Sequence, residues 1–282
     1  VNTDFGQVEA DPAVVNLSAF ETFFSERRPF FVEGSGVFRF DMDCNDGSCT
    51  GLLYTRRIGR QPQLSADVPD GGFVSAPSNT TIIGATKAAG RVGGFSVGIL
   101  NALTAEEDAR VALGSVRSTS PIEPFASYTV GRARREFANQ SALGVMMTAT
   151  NRNVGDERSP MRLLSNSAYA GGVDWDLRLA SRRYALAGYL SATRVNGTEA
   201  AIARLQENNV HSFQRPDATH VEFDPTRTTL SGQAGSLAFR KGEVYDVTVN
   251  TGGLALLLQD LGTATGTAIG STLDLQVSAL TL

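Results

Sequence analysis

The sequence contains few of the residues that build metal centres and nucleophilic active sites. Its 282 residues include two histidines, two cysteines and one tryptophan. The H-E-x-x-H motif of zinc proteases does not occur. We therefore predict no metal and no cofactor, and the sequence gives little support to an enzymatic function.

Long hydrophobic runs and a basic stripe are also missing. The longest apolar run, LALLL at 254–258, is far shorter than the ~18 residues that a membrane-spanning helix needs. The net charge is −4 and the basic residues are scattered, so nucleic acid is not an expected partner. The 29 glycines favour β-structure with many turns, so membrane helices are excluded and a membrane β-barrel is not.

From residue 80 onward the sequence carries long runs that alternate as strands do. In 173–179 the odd positions are hydrophobic, whereas positions 174, 176 and 178 are charged. The runs are longer than the ~5–6 residues of an average globular strand. We predict strands at 80–91, 95–104, 125–137, 141–152, 168–180, 183–194 and 227–240, and a further strand after Glu243.

The connections between these strands alternate in length. Short turns at 93–94, 139–140, 181–182 and 241–242 separate long polar loops at 105–124, 153–167 and 195–226. This alternation is typical of outer-membrane barrels, which have tight turns on one rim and long loops on the other. We therefore predict an all-β fold, an antiparallel up-and-down β-barrel of the outer-membrane type, partial in this chain. The alternative is a soluble antiparallel barrel or sandwich.

The predicted organisation has three parts. Residues 1–78 form an N-terminal charged, phenylalanine-rich segment with a loop, 79–250 form the barrel strands, and 251–282 form a divergent tail that is further strand or linker. A helix is predicted over 12–27, with Asp11 as N-cap, Pro12 in the first turn and Pro29 ending it. A second helix is predicted over 198–209, with Thr198 as its cap.

Charges of both signs are concentrated in the N-terminal part. We predict that they form an ion-paired, plug-like insert in the barrel lumen or at its rim. The residues concerned are Asp4, Glu9, Asp11, Glu21 and Glu33, facing Arg27, Arg28, Arg56, Arg57 and Arg60.

Two small clusters suggest chemistry. Cys44 and Cys49 have spacing that suits a disulfide across a tight loop, with two independent thiols as the alternative. The acidic residues of that loop resemble half of a calcium site, but its sixth and twelfth positions, Asp46 and Leu52, do not match an EF-hand. A solvated acidic loop explains them. The catalytic candidates are His211, His220, Glu222 and Asp224, which a polar loop or lumen face explains more simply.

Two stretches carry a family resemblance: NTDFGQVEADPAVVNLSAFETFFSERRPFFVEG at 2–34 and LLYTRRIGR at 52–60. They resemble an uncharacterised bacterial family whose β-barrel domain of unknown function usually follows a module similar to family-9 carbohydrate-binding domains. The residues that carry the resemblance are Asp4, Phe5, Gln7, Glu9, Asp11, Pro12, Phe20, Glu21, Arg28, Pro29, Phe30, Glu33, Arg56, Arg57, Gly59 and Arg60.

The resemblance implies an outer-membrane location in a Gram-negative-type cell envelope, with membrane lipid as a partner and carbohydrate bound through the attached module. The function it implies is envelope transport, surface display or support of that module. The alternative function is a secreted or surface glycan-processing hydrolase, or a carbohydrate-binding protein.

Overall fold

The computed structural model describes residues 5, 11, 15, 23–45, 48–156, 159–208, 213–214, 222–241, 245–252 and 272–279. Two short helices occur among them, α1 (Pro29–Val32) and α2 (Glu199–Gln206), with 3-10 turns at Ser35–Phe38, Thr55–Arg57 and Pro160–Leu163. The strands are β1 (Asp41–Asn45), β2 (Ser48–Gly51), β3 (Phe73–Ser75), β4 (Ile82–Val92), β5 (Phe95–Thr104), β6 (Glu107–Leu113), β7 (Val116–Glu123), β8 (Ala126–Glu136), β9 (Ala142–Arg152), β10 (Ser167–Leu179), β11 (Tyr184–Asn196), β12 (Thr229–Lys241), β13 (Tyr245–Gly252) and β14 (Thr272–Ala279).

Most of these strands form one antiparallel sheet of nine, in the order β14-β13-β12-β11-β10-β9-β8-β5-β4. A three-stranded sheet has the order β3-β6-β7, and β1 and β2 form a separate hairpin. Within the described residues no pairing joins β4 to β14, so the large sheet has two edges there. The expected antiparallel all-β class is confirmed, but a closed barrel is not found in this part of the chain.

The long strands lie where the alternation predicts them. Each of the seven predicted strands corresponds to an observed one with ends that differ by at most two residues, and β13 follows Glu243. Between neighbouring strands of the large sheet, the connections from β4 to β5, β8 to β9 and β10 to β11 are short, whereas those from β5 to β8, β9 to β10 and β11 to β12 are long. We call the end of the sheet with residues 93–94, 137–141 and 180–183 the short-turn rim, and the opposite end the long-loop rim.

The predicted loop 105–124 is wrong, because it contains the hairpin of β6 and β7. Gly114 has a φ of 56° at the tip of this hairpin, a conformation that glycine adopts without strain. Ala109 and Val111 are buried, while the neighbouring Asp108 and Arg110 are exposed. Asp108 and Arg110, which suggested a loop, therefore lie on the solvent side of β6.

The N-terminal helix prediction is wrong at its C-terminal end. Residues 23–28 are not helical, and residues 12–14 and 16–22 lie outside the described part of the chain. Pro29 begins α1 instead of ending a helix, because proline is tolerated in the first turn, where no backbone donor is needed. The second helix is confirmed in shorter form: the hydroxyl of Thr198 accepts a hydrogen bond from the Ala201 N–H at 3.1 Å.

The core lies on one face of the nine-stranded sheet, which we call the inner face. It carries the even-numbered residues of β5, β8, β9, β10 and β12 and the odd-numbered residues of β11. Four phenylalanines and two aliphatic residues from 23–60, which we call the N-terminal segment, pack on it: Phe30, Phe31, Phe38, Phe40, Leu52 and Ile58. Among the described residues, no helix has both the length and the apolar character needed to cross a membrane.

Candidate functional site

Glycines on the inner face make room for the N-terminal segment. A Cβ atom added to Gly98 would lie 2.8 Å from Cζ of Phe38, and one added to Gly172 would lie 2.6 Å from Cζ of Phe40. Real Cβ atoms do not come so close to other atoms, since packed interiors leave no such overlap. Gly98 and Gly172 therefore form two notches in the sheet, each filled by one phenylalanine ring.

Arg28 holds the N-terminal segment together from within. Its guanidinium donates hydrogen bonds to the backbone oxygens of Ile58 at 2.6 Å and Thr55 at 2.8 Å, and forms an ion pair with Glu26 at 2.7 Å. It also lies over the ring of Phe31, 4.3 Å from the centroid. Because Arg28 is buried, these contacts satisfy a charge that would otherwise be costly to desolvate.

The carboxylate of Glu26 is tuned by the same arrangement. Burial alone raises the pKa of Glu26, but hydrogen bonds from Arg28 and from the Thr55 hydroxyl lower it more, so that the pKa lies below its ordinary value. The Thr55 hydroxyl donates to Glu26 at 2.6 Å. Glu26 is not among the acids predicted to face the arginines, although its place two residues before Arg28 is evident in the sequence.

Lys87 joins the N-terminal segment to strand β4. Its ammonium group donates hydrogen bonds to the backbone oxygens of Phe30 and Glu33 and lies 5.0 Å from the centroid of the Phe30 ring. These oxygens belong to α1 and the residue after it, where the last carbonyls of a helix lack partners within the helix. Lys87, a residue of the sheet, thus supplies the hydrogen bonds that these carbonyl oxygens lack at the C-terminal end of α1.

A buried cluster of charges lies beside this docked segment on the inner face. Asp174 accepts a bond from Arg132 at 2.5 Å on one oxygen and from Arg134 at 2.5 Å on the other. The Arg132 side chain is fully buried and lies over the Phe40 ring, 5.4 Å from its centroid. Such a cluster on a sheet face needs several compensating contacts, since desolvated charges are stable only when paired and hydrogen-bonded.

Gly144 on β9 is what allows this cluster to form across two strand spacings. Arg134 on β8 and Asp174 on β10 are both backbone partners of Gly144. A Cβ atom at that position would lie 2.5 Å from Oδ1 of Asp174 and 2.6 Å from Nη1 of Arg132. The missing side chain leaves the space in which the carboxylate and the guanidinium meet.

A cavity of about 890 Å³ opens between the N-terminal segment and the inner face near the short-turn rim. Ion pairs line it, among them Arg39 with Asp41 at 3.0 Å and Arg91 with Glu136 at 3.7 Å. On β11 and β12 its lining is formed by the small residues Ala187, Gly188, Ser236 and Ala238 together with Tyr189. The cavity is therefore polar, charged on its walls and large enough for a small solute or a chain of water molecules.

The opposite face of the nine-stranded sheet, which we call the outer face, has the reverse character. On β4, β5 and β8–β12 its positions carry no aspartate or glutamate, and Arg135, Arg194 and Lys241 are its charged residues. Large apolar side chains are uncovered there, such as Met147 (67% exposed) and Leu190 (58%). One row of directly paired residues runs across seven strands without a polar side chain: Gly90, Val97, Ala133, Val145, Val173, Leu190 and Gly235.

Aromatic rings border this apolar surface at the short-turn rim. Arg135 lies between Phe95 and Phe137, with its guanidinium 5.2 Å and 5.1 Å from the two ring centroids. Farther along the same rim the rings of Tyr184 and Phe239 stack with centroids 5.9 Å apart. Aromatic and cationic side chains in this combination are typical of the level at which a surface passes from apolar to polar surroundings.

The described signature residues lie in the N-terminal segment or contact it, as Phe5 and Asp11 do. Arg56 forms an ion pair with Asp11, as predicted, and Gly59 has a φ of 80° that suits glycine. Phe5 packs edge-on against Phe30 with ring centroids 5.3 Å apart. Glu33 contributes its backbone oxygen, and Arg60 accepts a hydrogen bond from Thr80 through its backbone oxygen. Asp4, Gln7, Glu9, Pro12, Phe20 and Glu21 lie outside the described residues.

The catalytic candidates are not brought together in the described structure. His211 and His220 lie outside the described residues, and Glu222 is exposed. Asp224 has a structural role: its backbone N–H and oxygen are bonded to the side chain of Gln206, both at 2.9 Å. Hydrogen bonds from the hydroxyl and N–H of Thr226 hold the pKa of Asp224 below its ordinary value.

The hairpin of β1 and β2 places Cys44 and Cys49 directly opposite each other along the backbone, so the disulfide stays a reasonable prediction. Asp41 pairs with Arg39. Among the described residues, no group of three or more His, Cys, Asp and Glu side chains has an arrangement that suits a metal ion.

Comparison with known proteins gives a family and no closer relative. No curated protein and no solved structure matches the chain. The model of a family described as a domain of unknown function, DUF5916, matches residues 1–217, well over half of the sequence. The matched region includes the N-terminal segment and the sheet strands from β4 to β11. The chain therefore belongs to the DUF5916 family.

Proposed function

We propose that this chain forms part of the wall of an outer-membrane β-barrel, with its outer face against lipid and its N-terminal segment filling the inside as a plug. In this proposal the protein serves transport across the cell envelope. Polar solutes pass along the inner face when the plug moves. Membrane lipid is its permanent partner.

The observation that carries the proposal is the apolar band of the outer face, which lies between the charged residues at its two rims. On β10 the outward residues from Tyr169 to Leu179 are all uncharged. Ten steps of about 3.3 Å span about 33 Å along the strand. A strand tilted by 35–45° then covers a height of about 23–27 Å, which agrees with the ~25 Å apolar band of outer-membrane barrels.

The inner face supports the same interpretation. A soluble antiparallel sheet with one solvated face keeps its charges on that face and its apolar residues in the core. Here Arg132, Arg134 and Asp174 lie on the inner face, whereas the outer face exposes large apolar side chains. This reversed polarity is what a barrel with a polar interior in a lipid surrounding requires.

The N-terminal segment is attached to the inner face in a manner that suits a plug. Phe38 and Phe40 fill the notches at Gly98 and Gly172, and Lys87 binds the segment's backbone. The charged cavity beside it offers a polar path that this segment narrows. Removing the two rings therefore removes the main apolar anchors while the strands keep their pairing.

The first test is heat-modifiability of the full-length protein that contains this chain, refolded in detergent. A compact band that migrates faster before boiling and is lost on heating is expected for a membrane barrel, because the closed hydrogen-bonded wall resists the gel detergent. A single band, together with a protein that stays monomeric without detergent, would refute the proposal.

The plug is tested by conductance across a planar bilayer. The double variant Phe38→Ala, Phe40→Ala is expected to conduct more than the unaltered protein. The matched control is Phe73→Ala, which changes an exposed ring (77% exposed) on β3, away from the inner face. If the double variant shows the heat-modifiable band but no added conductance, the plug role is wrong.

A further inference from the structure

We infer that the short-turn rim of the outer face binds the phosphate headgroups of anionic phospholipids. This inference rests on the proposed function. It adds the class of lipid and the end of the sheet that binds the lipid headgroups. The binding groups are Arg135, Arg182 and Arg183, with Lys241 at the same end of the sheet.

Arg135 is held in place for this role. Phe95 is its direct backbone partner on β5, and Phe137 lies two residues farther along the chain. The two rings flank the guanidinium at 5.2 Å and 5.1 Å and leave the residue exposed. A guanidinium stacked on aromatic rings keeps its in-plane donors available, and their geometry matches phosphate oxygens.

The turn between β10 and β11 adds two more cations at the same level. Arg182 and Arg183 are both exposed. Ala180, Ser181 and Arg182 all have a positive φ, between 49° and 69°, which fixes a tight turn and holds the arginines at the end of the sheet. Next to them Tyr184 stacks on Phe239, continuing the aromatic border of Arg135.

The long-loop rim of the outer face differs in charge. There uncharged amide and hydroxyl groups bond to each other: Asn101 donates to Thr129 at 2.9 Å, and Asn151 accepts from Tyr169 at 2.8 Å. Arg194 is the charged outer-face residue at that end, and it donates to Asn196 at 3.1 Å. The two rims of one apolar surface therefore have different chemistry.

Charge complementarity selects the ligand. The outer face of β4, β5 and β8–β12 carries no carboxylate, so Arg135 has no acidic neighbour on that face of these strands. Each arginine or lysine near an anionic bilayer surface strengthens binding by about fivefold. Headgroups with a net negative charge are therefore preferred over zwitterionic ones at this rim.

The experiment uses the full-length protein, refolded in detergent and checked for its heat-modifiable band. It is mixed with equal amounts of phosphatidylglycerol and phosphatidylcholine, and the lipids that stay bound are counted by native mass spectrometry. We expect phosphatidylglycerol to be retained at least tenfold over phosphatidylcholine. The triple variant Arg135→Gln, Arg182→Gln, Arg183→Gln should lose this preference.

Two controls separate charge from fold. The triple lysine variant at the same positions keeps the cations and should keep most of the preference, and Arg194→Gln at the other rim should leave it unchanged. Equal retention of both lipids would overturn the inference, and so would a loss of the phosphatidylglycerol preference in the Arg194 variant alone. In either case a heat-modifiable band would still support the proposed function. Lipid-independent dimers that the glutamine variant disrupts would assign the rim to a second copy and overturn it too. Without a heat-modifiable band both proposals fail.

Discussion

Replacing Val173 by arginine tests what surrounds the outer face. Val173 lies near the middle of β10, paired with Val145 on one side and Leu190 on the other. It is 40% exposed, so an arginine side chain fits without displacing any packed group. The effect of the change therefore depends on the medium that the new guanidinium meets.

The size of the loss in unfolding free energy shows whether the new arginine meets hydrocarbon or water. In hydrocarbon an arginine at the middle of a barrel strand costs about 2–4 kcal/mol, and near the interface only about 0–1 kcal/mol. In water a substitution on an exposed position stays within about 0.5 kcal/mol. We therefore expect Val173→Arg to lower the free energy of unfolding by about 3 kcal/mol, and Leu179→Arg beside the short turn by less than about 1 kcal/mol.

The assay is urea unfolding of the full-length protein in lipid vesicles, followed by tryptophan fluorescence, with both variants measured beside the unaltered protein. Trp175 is the one tryptophan of this chain and lies on β10 itself. A loss at Val173 that is no larger than the loss at Leu179 would show that the outer face does not meet hydrocarbon, and the membrane interpretation would then be abandoned.

Three further changes probe the inner face and the N-terminal segment. Gly144→Ala should cost about 3 kcal/mol in chemical unfolding because it separates the buried carboxylate of Asp174 from its guanidinium, whereas Gly171→Ala, whose Cβ would have only ordinary contacts, should be nearly neutral. Gly98→Ala should release the ring seated there, and limited proteolysis should then cut the N-terminal segment faster than in the unaltered protein; equal rates would contradict the notch. The pKa of Glu26 is lower in the folded state than its unfolded value of about 4.5. The stability that its carboxylate contributes is therefore present above the unfolded pKa and is lost as the pH falls through the lower folded value. Glu26→Gln should remove this contribution, so the free energy of unfolding should fall less steeply as the pH is lowered through the acid range.

The strands were predictable because their side chains repeat with a period of two over ten residues or more. In β9 that repeat is unbroken from Ala142 to Arg152, and it survives because both faces demand a definite polarity. The hairpin of β6 and β7 was missed because its strands are short and their polar residues are on the solvent side. The dipeptide Gly114-Ser115 between two alternating runs was the signal that a turn lay there.

The site was less predictable, since it depends on which residues meet across strands. No local sequence pattern links Phe40 with Gly172 or Arg132 with Asp174. Those contacts depend on the register in which the strands pair and on glycines that leave space for a neighbouring side chain. The ion-paired character of the N-terminal segment was anticipated in Arg56 and Asp11, but the partner of Arg28 was not. The role of Pro29 was predicted wrongly because proline is found both after the end of a helix and in the first turn of one. Which of the two occurs depends on which neighbouring residues are buried.

The notch that receives Phe40 also has a consequence for the order of folding. The ring and Gly172 are about 130 residues apart in the chain, so closing this contact carries a large entropic cost that local structure does not offset. The N-terminal segment is synthesised before β10, so the Phe40 ring cannot reach its place on the sheet until β10 has paired with its neighbours. During that interval the Phe40 ring stays uncovered, and exposed apolar surface of this kind favours association with other chains.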